Sequence, residues 1–288
     1  MLEKKYIYIP FIGALSLATG TIIQKIILRK RKVKIKTYLS AEFLAIILAM
    51  LPFIYFFWRL DAPAYELKNI FIFSLVILFS IVANLFLFYS MKWEKVSNIE
   101  PARILEPLLV ILLAIFFSFF VEELYDKNLK VIIPALIAGA ALLFSHVKKH
   151  HLKFNRYFIA AMLASFFFAL ELVITRLILD HYSPISFYFL RCSSIFLISL
   201  VLFKPKFKTL NKKVRFEILA LGFLWALYRI IVYYGYLNLG IIFTTLIFML
   251  GPIFIYIFAW KFLKEKIERR NIAASIVIVA CVLYVVLT

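Results

Sequence analysis

Acidic residues are scarce in this chain: 15 Asp and Glu stand against 34 Lys and Arg, a formal net charge of +19. Glycine is scarcer still, with seven in 288 residues, and cysteine appears twice. Each shortage closes off a class of protein. Seven scattered glycines provide no phosphate-cradling loop, and there is neither an HExxH helix nor a nucleophile elbow. No catalytic constellation is visible, so the chain is not read as an enzyme and no cofactor is expected. Cys192 and Cys281 both fall in apolar segments without a CxxC, which excludes a disulfide framework and fits small buried hydrophobes. His146, His150 and His151 cluster in the basic loop HVKKHHLKFNR. No acidic or thiol neighbour completes a metal site there, so it reads as a solvated loop.

Apolar side chains are what the chain has in excess. It is 65% hydrophobic and 18% aromatic, with a mean hydropathy of +0.98. A soluble domain is typically about 45–50% apolar, so the class is integral membrane protein. The positive charge then changes meaning. In a soluble protein it would suggest nucleic acid; here the basic residues sit in short clusters between oily segments, which is the pattern of loops facing an anionic leaflet. No nucleic-acid partner is expected.

A spanning helix needs about 20 mostly apolar residues. Ten segments qualify: 6–28, 38–58, 69–91, 98–120, 129–147, 156–179, 184–203, 215–237, 240–262 and 271–287. The first begins like a signal peptide, but its apolar run continues through Leu28, so it is read as a retained helix. Residues 1–148 and 154–288 resemble each other across a basic linker at 149–153. Pro107 aligns with Pro252, Tyr89 with Tyr234, and Asn84 with Arg229. Repeats with an odd number of spans must be inverted, and the loops agree. RKRKVKIK after the first helix corresponds to the near-neutral DHYSP after the sixth; RLDAPAYELK after the second corresponds to KPKFKTLNKKVR after the seventh. The expected fold is therefore all-α, with ten transmembrane helices as two inverted five-helix repeats, a common transporter plan. The basic loops follow helices 1, 3, 5, 7 and 9. Placing them in the cytoplasm puts both termini outside.

The stretches ARILEPLLVILLAIFFSFFVEE and TTLIFMLGPIFIYIFAWKFLKEK resemble the fourth helices of EamA-type transporters in the drug/metabolite transporter superfamily. That resemblance rests on Pro107 with Glu122 and on Pro252 with Glu265. Arg191 matches an arginine often found in the second helix of a repeat; its first-repeat counterpart is Glu42, a departure. The resemblance implies a ten-helix carrier and, in orientation, termini on the cytoplasmic side, the alternative to the charge pattern.

A charge at the centre of a membrane helix costs about 2.5–3.5 kcal/mol on insertion scales, so it must face a cavity or a partner. Lys25, Glu42 and Arg176 lie near span ends and read as interfacial anchors, with Glu42 able to pair with Lys25. Arg103, Glu106, Glu171, Arg191 and Arg229 lie deeper. Glu100, Arg103 and Glu106 are three apart and can bridge along one face of a helix. Pro107 and Pro252 should kink their helices, and charge beside a kink suggests a cavity at mid-depth. Asn84 and Arg229 should meet near the pseudo-twofold axis, with Tyr89 and Tyr234 lining the same space; Thr244 and Thr245 are weaker candidates. Trp58, Trp93 and Trp260 mark span ends as an aromatic belt would.

Three deep arginines against two deep glutamates leave one positive charge over, which suits a substrate with an anionic group. The expected function is a secondary transporter of a small organic metabolite working by alternating access in the cell membrane. A coupling proton is a candidate partner, carried by Glu106 or Glu171. One chain supplies both halves, so a monomer suffices. The alternatives are a carrier of lipid-linked head groups and a non-transporting sensor or assembly protein, whose deep charges would be fully paired with no cavity.

Overall fold

Backbone groups in lipid have no water to bond, so an apolar run must satisfy its own N–H and C=O groups as helix. The computed structural model obeys this rule. It describes residues 9–31, 33–94, 99, 102–103, 105–121, 128–146, 155–263 and 269–287. The linker 149–153, His150, His151, Glu100, Glu122 and Glu265 lie outside the described residues.

The helices are α1 (Ile9–Lys25), α2 (Ile35–Phe57), α3 (Leu67–Trp93), α4 (Leu105–Ser118), α5 (Leu129–His146), α6 (Arg156–Leu179), α7 (Pro184–Phe203), α8 (Lys212–Asn238), α9 (Ile241–Phe248), α10 (Gly251–Leu263) and α11 (Arg269–Leu287). Among the described residues, seven helices are long and apolar enough to cross a membrane, and three shorter apolar ones accompany them. Large apolar side chains stay on the outside: Phe56 is 75% exposed and Phe144 77%. Such a surface needs lipid to cover it. The chain is an integral membrane protein with an all-helical fold.

Local sequence sets the ends. Asn155 caps α6 by accepting from the amides of Tyr157 and Phe158 at 3.0 and 2.9 Å. Ser183 caps α7 ahead of Pro184, a residue that fits the first turn because it has no N–H to satisfy. Asn211 caps α8 through the amide of Val214 at 2.8 Å. Gly240, at φ 82°, lets α8 turn straight into α9. The segment expected as one kinked helix over 240–262 is two helices instead. Pro252 has no N–H to continue the ladder, and just before it the bonds tighten to Leu250 N–H→Ile247 O at 3.0 Å and Ile253 N–H→Leu250 O at 3.0 Å. Proline thus starts α10 rather than bending a longer helix. In the first half, Pro107 lies in the first turn of α4 as described from Leu105.

Packing pairs the two halves of the chain. α1 packs on α8 and α3 on α6; α1 packs on α10 and α4 on α6; α2 packs on α7, and α5 on α11. Where α2 crosses α8, a Cβ on Gly222 would stand 2.5 Å from the Ala45 carbonyl carbon, so only glycine permits this approach. All eight residues of α9 are buried, beside α1, α4 and α5.

The loops sort to two ends. At one end, Arg31 bonds Glu217 at 2.7 Å and Asn155 donates to Glu94 at 3.0 Å. The C-terminal ends of α1 and α3 and the N-terminal ends of α6 and α8 therefore meet there. At the other, the α2–α3 and α6–α7 connections pair through a bridge between Leu60 and Tyr182. Asp61 N–H bonds His181 O at 2.9 Å, and Ser183 N–H bonds Arg59 O at 3.1 Å.

Candidate functional site

The deepest cluster of charges comes from three helices. Glu171 on α6 is fully buried, and Arg191 on α7 and Arg229 on α8 are 2% and 8% exposed. Both arginines turn to the one carboxylate: Arg191 Nη1 lies 3.2 Å from Oε1 and Arg229 Nη1 lies 3.5 Å from Oε2. Opposite charges buried together offset part of their desolvation. The two guanidinium groups differ sharply in what else they do. Arg191 donates to Tyr233 Oη at 2.6 Å and to Ser80 Oγ on α3 at 2.5 Å. Tyr233 in turn donates to Glu171 Oε1 at 3.3 Å, where Thr175 also reaches at 3.5 Å. Arg191 is thereby built into the wall.

Arg229 donates no hydrogen bond to any described residue, and its Nη1 and Glu171 Oε2 are both buried without one. The faces of Tyr228 and Tyr233 flank it, with ring centres 5.7 and 5.9 Å away, a contact that suits a cation. Arg229 lines a cavity of about 590 Å³, counted with the solvent at its mouth. Asn84, Arg103, Glu106 and Arg191 line it too, together with Tyr188 and Tyr228. A neighbouring cavity of about 660 Å³ shares Arg103, Glu106 and Tyr228, and adds Pro107, Pro252, Tyr236 and Thr245. Residues from both halves of the chain thus surround one region.

Other placements depart from the sequence reading. Tyr89 packs against Tyr157 in a tilted pair, with ring centres 5.4 Å apart, and neither Tyr89 nor Tyr234 is among the residues lining these two cavities. Tyr233, one position earlier on α8, turns inward instead. Lys25 is buried, and its ammonium donates to the carbonyls of Met91, at 2.8 Å, and Glu94, closing the C-terminal end of α3, where helix dipoles favour a cation. Glu42 is not paired with it. It sits in the cavity wall, 3% exposed, accepting from Gln24 Nε2 at 3.0 Å and Tyr38 Oη at 2.8 Å. Its depth was missed because it comes only two residues after Ser40, near the start of α2; burial by α1 and α8 is a tertiary matter. Arg176 is where an interfacial anchor belongs, bonded to Asp180 at 2.5 Å in the last turn of α6.

Comparison with known proteins bears on the family and the fold. Residues 155–287 match the model of the EamA-like transporter family, part of the drug/metabolite transporter superfamily. The match lies in the second half of the chain and is a likeness to a family of membrane transporters. No curated protein matches the sequence. A solved crystal structure superposes with a TM-score of 0.70 at 13% identity, covering 98% of this chain and 98% of its own. At that identity the likeness is one of fold.

Proposed function

We propose that the protein is a secondary transporter that carries a small organic metabolite bearing an anionic group through the central cavity. The observation that carries this reading is Arg229: a nearly buried guanidinium, facing open space, whose donors no described residue takes up. A carboxylate or phosphate presents the acceptors that a guanidinium fork is shaped to receive. A buried donor without an acceptor is costly, and the 3.5 Å ion pair to Glu171 leaves Arg229 Nη1 without a hydrogen bond, so a ligand oxygen in the cavity would complete it. Asn84 and Arg103 stand on the same cavity and would share in binding.

Glu42 revises the charge count. With it the cavity region holds three arginines and three carboxylates: Arg103, Arg191 and Arg229 against Glu42, Glu106 and Glu171. The charges are separated, however. Glu42 is held by neutral donors, while Arg191 and Arg229 share Glu171. The cavity therefore has a basic pole at Arg229 and an acidic pole at Glu42, and a donor group on the substrate would be met at the second. For a coupling proton, Glu171 is the weaker carrier of the two first named, because it holds two guanidinium groups in place. Glu106, on the cavity wall, keeps the role.

The transport cycle we propose is alternating access by two inverted five-helix repeats in the cell membrane. The parity of the loops supports it. The α1–α2 and α7–α8 connections share one end, and the α2–α3 and α6–α7 connections share the other, as inversion requires. The reciprocal pairs α1 with α8 and α3 with α6 are also those a twofold axis would exchange.

The test is a thermal-stability screen of the purified protein against organic acids, sugar phosphates, amino acids and amines, since a ligand that binds the folded state raises its stability. Stabilisation by an anionic metabolite, lost in Arg229→Gln while the variant still folds, is the expected result. Stabilisation by amines alone would overturn the anion reading.

A further inference from the structure

Away from the central cavity, a second opening of about 780 Å³ lies at the end of the bundle where α2 starts and α3 and α7 finish. Five lysines line it: Lys34, Lys36, Lys92, Lys204 and Lys206. Among the described residues no carboxylate lines it, and none of the five makes an ion pair with one. Like charges gathered this way repel one another unless an anion joins them. The wall also includes the first turn of α2, Ile35 to Thr37, whose N-cap residue Lys34 provides no side-chain cap. The free amides of a 23-residue helix therefore point their positive end at the same space. Thr37 is 4% exposed and its hydroxyl makes no hydrogen bond with a described residue, so a polar group stands idle in the wall.

The lysines are held rather than dangling. Lys92 donates to Val33 O at 3.1 Å and lies over Trp93, and Lys36 lies over Phe203, each 5.6 Å from the ring centre. Lys204 ends α7 in a left-handed turn at φ 45° that presents the next lysine to the cleft. Trp93, 57% exposed, sits beside them at the end of a membrane-spanning helix, the depth where tryptophan meets head groups.

We infer that this cleft is a binding site for the phosphate-bearing head group of an anionic phospholipid. Charge, a helix N-terminus and an idle hydroxyl call for a phosphate; the membrane-depth tryptophan and the span ends on every side call for one attached to acyl chains. The cleft lies on the face that carries the basic loops, which the charge pattern turns toward the anionic cytoplasmic leaflet.

The test uses the purified full chain in neutral detergent, titrated with phosphatidylglycerol, phosphatidylcholine or inorganic phosphate, with bound lipid counted by native mass spectrometry and unfolding followed in parallel. Phosphatidylglycerol should remain bound and raise the unfolding temperature where phosphatidylcholine does not. A triple variant, Lys34→Gln, Lys36→Gln and Lys206→Gln, should weaken phosphatidylglycerol binding on the order of 100-fold, as three lysines at about fivefold each imply. It should unfold like the parent in phosphatidylcholine. Should the triple variant fold poorly, Lys206→Gln alone should weaken binding about fivefold. The control Lys212→Gln with Lys213→Gln, on the same face but outside the cleft, should leave the affinity in place. Equal affinity in parent and cleft variants overturns the site, as does equal retention of phosphatidylcholine. Inorganic phosphate that displaces phosphatidylglycerol at equal concentration overturns the lipid assignment in favour of a soluble anion.

Discussion

Replacing Glu171 by Gln keeps the shape of the side chain and removes the charge shared by Arg191 and Arg229. The ion pairs are 3.2 and 3.5 Å long, and all three residues are nearly or fully buried. Removing one member of such a buried set costs about 3–5 kcal/mol, because the partner charges stay behind without compensation. For a domain of this size each kcal/mol moves the midpoint by about 2–4 °C, so the unfolding temperature should fall by roughly 6–20 °C. The chain supplies its own probe: Cys192 on α7 is fully buried, and once the partly buried Cys281 is replaced by Ser, a thiol-reactive dye labels it as the bundle opens. The second half of the test is a double variant. Glu171→Gln with Arg229→Gln should regain part of the loss, since Arg191 keeps Tyr233 and Ser80 as acceptors. Glu171→Gln with Arg191→Gln should regain less, because Tyr233 and Ser80 lose their donor. An unchanged midpoint in Glu171→Gln, or no difference between the two double variants, would refute the picture of one carboxylate holding two unequal arginines.

Three further outcomes follow from the packing. Gly222→Leu places a side chain where a Cβ alone would stand 2.5 Å from the Ala45 backbone; it should part α2 from α8 and lower stability by at least about 1–3 kcal/mol in a thermal scan. Asn155→Ala removes a cap that serves two amides of α6 and should cost about 1 kcal/mol, read as a drop of a few degrees in the midpoint. Leu60 and Tyr182 face each other as the non-hydrogen-bonded type of antiparallel pair, whose Cα atoms lie about 4.5 Å apart, within the span of a disulfide. Leu60→Cys with Tyr182→Cys should cross-link on oxidation and stop substrate flux through proteoliposomes, and a reductant should restore it; undiminished flux in the oxidised form would show that this end does not open.

Much of this molecule was legible in its sequence because lipid leaves the chain so few options. The apolar runs had to be helices, and the basic and near-neutral loops divided themselves between two ends. Arg229 stood out as a charge in the middle of an oily helix, and its place on the cavity follows from that same cost. Other residues were illegible for a physical reason. Glu42 and Lys25 lie near span ends, where water is close by in sequence; only the packing of α1 and α8 over Glu42 and of the end of α3 against Lys25 makes these positions dry. Repeat alignment points to Tyr234, but adjacent residues on a helix are turned about 100° apart, and one step decides between cavity and flank. The break between α9 and α10 was read as a kink because Pro252 announces a discontinuity without saying how large it is.

The short helix α9 sets the order in which the protein can be made. Eight residues rise about 12 Å, well under half the hydrocarbon thickness. α9 cannot cross the bilayer by itself, and every one of its residues is walled off from lipid. Its neighbours α1, α4 and α5 leave the ribosome well before it does. Until α9 arrives, those three helices surround a gap where it belongs, and the first half of the chain must wait in the membrane as an unfinished assembly. One small plug, followed in the chain by α10 onto α1 and α11 onto α5, thus completes an interior that the long spans of the first half cannot close by themselves.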